Sequence, residues 1–141
     1  MRIIILKGKS NSGKTTTLKM VYDFLKLLDA KVKNKPEPIK DSDIGDFKAV
    51  LSFQNKKVAI FTKGDDKDHC NRAIRDYYKD NIDVLIMAHR PSCGKINTAQ
   101  HEKYIVEKRS ASSVFEELSV NISDCLKIII QYTQHCLTNS S

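Results

Sequence analysis

Eight consecutive residues, Gly8-Lys9-Ser10-Asn11-Ser12-Gly13-Lys14-Thr15, place two glycines, a lysine and a hydroxyl at the spacing G-x-x-x-x-G-K-[ST]. Residues of these types at this spacing can hold phosphate. Gly8 and Gly13 lack a Cβ, so the backbone can turn its N–H groups inward around an anion. Lys14 is suited to reach the β- and γ-phosphates as a point charge, and the Thr15 hydroxyl to ligate a magnesium ion that bridges them. Lys9, Ser10, Asn11, Ser12 and Thr16 complete the expected phosphate-contacting loop.

Such a loop needs a strand before it and a helix after it. Ile3, Ile4, Ile5 and Leu6 form a short apolar run that predicts a buried strand, and Leu18, Val21, Tyr22, Leu25 and Leu28 share one helical face. The helix should start near Gly13 and reach about Asp29, with its positive dipole end facing the bound anion. Strand, glycine loop and helix in this order resemble the P-loop NTPase superfamily, and the motif itself covers eight of 141 residues. The resemblance implies an α/β three-layer sandwich on the P-loop NTPase plan, binding a nucleoside triphosphate with Mg2+.

The rest of the chain predicts how that sandwich is completed. The prolines and charges of 31–38 end the first helix and predict an exposed loop that continues to Asp46. It carries Asp41, Ser42, Asp43 and Asp46, an acidic cluster suited to a magnesium-bound water or an acceptor hydroxyl. Stretches 47–53 and 57–62 predict two strands joined by a tight turn at Gln54-Asn55-Lys56, and so short a link makes them antiparallel. The expected sheet is therefore mostly parallel with an antiparallel edge hairpin, more like the GTPase-like branch than the simple nucleotide kinases.

Val58-Ala59-Ile60-Phe61 runs into Thr62-Lys63-Gly64-Asp65-Asp66, and an apolar strand ending in an acid resembles the magnesium-holding position of the superfamily. Asp65 takes that role, with Asp66 as the alternative or as the cap of a helix over 66–80. Thr62-Lys63-Gly64-Asp65 also matches a guanine-reading pattern, and Ser110-Ala111-Ser112 is a second faint GTPase echo. The first of these comes too soon after the glycine loop to carry that meaning. Stretch 83–88 is apolar on both faces and predicts a central parallel strand. The turn His89-Arg90-Pro91-Ser92-Cys93-Gly94-Lys95 follows it, and Arg90, then Lys95, is the expected positive group facing the γ-phosphate. His89 fits a hydrogen-bonded structural role better than a catalytic one.

A helical turn at 98–103 and a strand at 104–106 come next. Ser113 and Glu116 form a capping box that opens a short helix. Asn121 then caps a last helix, on which Ile122, Cys125, Leu126, Ile129, Thr133 and Cys136 keep the 3.6 period; the tail 138–141 should fray. A chain of 141 residues makes one domain. With 24 Lys plus Arg against 17 Asp plus Glu, the net charge of +7 suits polyanions in general. Nucleic acid is a secondary possibility, because no basic run dominates and aromatics are only 7%.

The four cysteines include no C-x-x-C pair, no leader precedes the first strand, and no apolar run has the ~20 residues of a membrane span, which together point to the cytoplasm. His69, Cys70, His89 and Cys93 fit no usual zinc spacing. The expected reaction is hydrolysis of ATP, with Lys14 on the phosphates, Thr15 and Asp65 on magnesium, and Arg90 balancing developing charge. The rivals are a small-molecule kinase with a nucleoside or nucleotide acceptor, and a GTPase-like switch read by a protein partner.

Overall fold

The computed structural model describes residues 1–42 and 45–138. Asp43, the side chain of Cys136 and the tail from 139 lie outside the described residues. The elements in chain order are β1 (Arg2–Lys7), α1 (Lys14–Leu27), β2 (Lys31–Pro38), β3 (Phe47–Phe53), β4 (Lys56–Phe61), α2 (Lys67–Lys79), β5 (Val84–His89), a 3-10 turn (Pro91–Cys93), β6 (Glu102–Glu107) and α3 (Val114–Thr138).

Six strands make one mixed sheet in the order β2-β3-β4-β5-β1-β6. β4, β5, β1 and β6 run parallel to one another, whereas β3 pairs antiparallel with β4 on one side and with β2 on the other. The period-2 alternation of strand side chains divides the core in two. Ile4, Leu6, Ile60 and Ile86 point to the face covered by α1 and α3, while Ile3, Ile5, Leu85 and Met87 point to the face covered by α2. The chain is thus α/β, with helices on both faces of its sheet. Among the described residues no helix is long and apolar enough to cross a membrane.

Two expectations from sequence are corrected. The 31–38 stretch is a strand, not a loop: β2 pairs with β3 through two register shifts and is exposed along almost its whole length. An outermost strand tolerates Pro36 and its lysines because one side of its backbone faces solvent. The β3–β4 hairpin therefore forms as expected, with Gln54 and Asn55 both at positive φ, but β2 takes the edge. The second correction is that 113–138 holds one helix and not two. Ser113 opens α3 by accepting from the Glu116 amide, and the helix passes straight through Asn121, which is buried.

α3 is apolar on more than its core face. Phe115, Leu118, Ile122, Leu126 and Ile130 stay exposed along it. Toward the core, Tyr132 is fully buried and donates its hydroxyl hydrogen bond to the Phe53 carbonyl at 2.6 Å, tying the last helix to β3. Replacing Tyr132 by Phe leaves that carbonyl without this donor in a dry site and should lower stability by about 1–2 kcal/mol, measured as a shift in the urea midpoint. An unchanged midpoint would mean that the bond adds nothing beyond ring packing.

Candidate phosphate-binding site

The 8–13 loop joins the carboxyl end of β1 to the first turn of α1. Gly13, immediately before the helix, sits at φ +91°, a left-handed conformation costly for any residue with a Cβ. No side chain caps α1 and no acid lies in its first turn. The contrast with α2 is direct: Asp66 caps that helix by accepting from the Asp68 and His69 amides at 2.9 and 3.1 Å, and Asp68 adds an acid in its first turn. These amide bonds, the His69 one above all, hold the Asp66 carboxyl below its ordinary range. Asp66 is thereby committed to α2, whereas no side chain among the described residues accepts from the first amides of α1.

The loop forms one wall of a cleft of about 390 Å³ lined by residues 10–16 together with Asp46, Thr62, Gly64, Asp65, Arg90 and Glu117. Lys14 folds back over the loop, and its Nζ donates to the Gly8 carbonyl at 2.8 Å and to that of Lys9. Ser12 Oγ donates to the same Lys9 carbonyl at 2.8 Å. Burial, then the neighbouring Arg90, lowers the Lys14 pKa from its ordinary value near 10.5, with Asp65 and Asp46 pulling the other way.

Asp46 is the residue that reasoning from sequence undervalued. Its Oδ1 accepts from Thr15 Oγ1 at 2.9 Å and from Thr62 Oγ1 at 3.0 Å, and its Oδ2 accepts from Ser42. Thr62 in turn accepts from the Phe47 amide at 2.8 Å, so one carboxylate ties the glycine loop, the end of β4 and the start of β3 together. Thr62 was the only hint: a hydroxyl at the end of an apolar strand, next to a polar segment that had to fold back. Asp65 lines the same cleft, but its carboxylate lies 3.8 Å from Lys63 Nζ.

Arg90 is in the cleft as expected. Its backbone N–H donates to the Gly64 carbonyl at 2.8 Å and its Nη2 to that of Asp65 at 3.4 Å, while its buried Nε has no hydrogen-bond partner among the described residues. Lys95 is elsewhere, in a groove on the other side of the 89–91 turn. His89 is buried with Nε2 2.9 Å from the Gly94 carbonyl, the structural role expected for it. Cys70 donates to the Lys63 carbonyl, and burial pushes its pKa to about 12, so it stays a neutral thiol. Gly64 is the tightest point of the cleft wall: a Cβ there would fall 2.5 Å from the Ala88 carbonyl carbon.

Behind the loop stands a buried brace. A Cβ on Gly8 would lie 2.8 Å from Lys108 Cβ, and one on Gly13 would lie 3.0 Å from Asn121 Oδ1. Lys108 and Asp124, both with fully buried side chains, pair at 3.3 Å. Asp124 also accepts from the Arg109 amide at 3.0 Å, so α3 and the end of β6 hold the back of the loop. Asp124→Asn leaves Lys108 charged and dry and should cost about 3 kcal/mol in urea unfolding, most of it regained in the double variant with Lys108→Met. A cost below ~1 kcal/mol would mean that the pair does not support the loop. No family model, curated protein or solved structure matches the chain, so the chemistry of this cleft is argued from its own residues.

Proposed function

We propose that the protein binds a magnesium nucleoside triphosphate, with ATP the favoured nucleotide, in the cleft between the 8–15 loop and Arg90, and hydrolyses its terminal phosphate. The observation that carries this reading is the uncapped start of α1. A left-handed Gly13, a helix start whose amides no side chain caps, Lys14 held over the loop and Arg90 all line one space of phosphate-chain size. The residues fit the group they would hold.

In this reading Lys14 exchanges its two carbonyl partners for phosphate oxygens, and the Arg90 guanidinium turns toward the terminal phosphate to offset charge in the transition state. Thr15 would hold the ion in exchange for its bond to Asp46, and Asp46 and Asp65 are the carboxylates of the cleft that would assist it. Magnesium, when bound, neutralises charge on the bridging phosphate oxygens. The walls formed by Gly64 and the loop narrow the cleft around the reacting end.

The Asp46 contact also favours a second reading, a nucleotide-operated switch recognised by a protein partner. Residues 41–46 are tethered to the cleft by Asp46 and by Lys63, whose Nζ donates to the Asp41 carbonyl at 2.7 Å. Any change in the coordination of Thr15 therefore reaches that segment directly.

Calorimetry with MgATP tests the first reading. Lys14→Met should remove binding while leaving the apo protein's stability within about 1 kcal/mol of wild type, because Lys14 projects into the cleft and not the core. Retained affinity in that variant would overturn the assignment. Asp46→Asn should weaken the magnesium dependence of binding more than Asp65→Asn does; the reverse order would return the metal to Asp65. Hydrogen exchange at residues 41–46 separates the two readings, since a switch protects this segment with a non-hydrolysable triphosphate and releases it with ADP.

A further inference from the structure

Parallel strands are ordinarily covered by helices on both faces, because each crossover brings one. The β5-to-β6 crossover does not. Residues 90–101 contain only the Pro91–Cys93 turn, and α2 packs over β4 and β5. On the α2 side, β1 shares the buried cluster with α2, but the outermost strand β6 gains no crossover helix of its own, and its Ile105 remains 47% exposed.

The result is a groove of about 720 Å³ between this face and the 94–99 loop, within the size range of small-molecule sites. Its floor is apolar, built from Ile5, Ile96 and Ile105, with the buried Thr98 at the side. Its charged side chains are all lysines: Lys7, Lys95 and Lys103, with no carboxylate in the lining. Lys7 lies 3.8 Å from Glu107, whereas among the described residues Lys95 and Lys103 have no carboxylate partner. The groove runs along the strands, from Lys7 and His89 at their carboxyl ends to Lys103 near the amino end of β6. His89 and Pro91 line it while Arg90 between them faces the phosphate cleft, so the two spaces are neighbours with separate walls.

We propose that this groove is a second binding site, for a small amphipathic anion whose acidic head meets one of the exposed lysines at its two ends, Lys95 or Lys103, and whose ring or short chain lies on the three isoleucines. An apolar floor favours the body without directing it, and the lysines supply orientation and select for negative charge. The proposal stands independently of the nucleotide reading, because no residue lines both cavities.

The test is a titration of the 15N-labelled full chain with 1-naphthalenesulfonate, followed by NMR. Amide shifts should centre on Ile5, Ile96, Ala99 and Ile105. The exposed pair Lys95→Glu and Lys103→Glu, made together, should weaken binding at least about tenfold, and so should replacing the probe by uncharged 2-naphthylmethanol. Shifts centred on the exposed apolar residues of α3 or on the 8–15 loop would overturn the proposal. So would affinity unchanged by the double reversal, or inorganic sulfate binding as tightly as the aryl sulfonate. Retention of the MgATP response of wild type by the double variant would keep a failure here distinct from a failure of the phosphate cleft.

Discussion

The start of α1 is the constraint on which the rest of the arrangement depends. A helix places several unpaired N–H groups and a partial positive charge at its amino end, and proteins usually answer them with a side-chain oxygen. α2 does so with Asp66. α1 does not, and its end is made more positive by Lys14 and Arg90 in the same cleft. The same cleft also holds Asp46, Asp65 and Glu117, so its cations stand among carboxylates, and it is the uncapped amides of the helix start that leave the site open to a polyanion.

Holding that strained end in place takes two supports. In front, Asp46 collects Thr15, Thr62 and Ser42 on one carboxylate and so joins three separate stretches of chain at the mouth of the cleft. Behind, the Lys108–Asp124 pair and Asn121 fill the space against the glycines, where any larger backbone substituent would collide. The front support exchanges partners easily because hydroxyl bonds to a carboxylate at a partly exposed site are readily replaced by water or metal. The rear one is dry and fixed. This division suits a loop that must keep its shape while its contents change.

How much of this was legible in the sequence follows from the range of each interaction. The glycine loop, the strand before it and the helix after it are set by neighbours a few residues apart, and the Val84–His89 strand by an uninterrupted apolar run; all were readable. β2 was not, since Pro36 and the lysines that suggest a loop are also the residues that protect an edge strand. The continuity of α3 was hidden because Asn121 is an ordinary cap residue, and only its packing against Gly13 explains it inside a helix. Asp46 was visible as one acid among several, but its pairing with Thr15 spans 31 residues and nothing local announces it.

The contact between Gly64 and the backbone of Ala88 bears on how neighbouring ligands could sense one another. With the glycine pressed against the strand end and the Arg90 amide bonded to its carbonyl at 2.8 Å, the partition between the cleft and the lysine-rimmed groove is stiff main chain. Main-chain displacement is a poor messenger across such a wall. Communication would pass through the swing of a guanidinium or through the electric field, and would therefore fade as ionic strength rises.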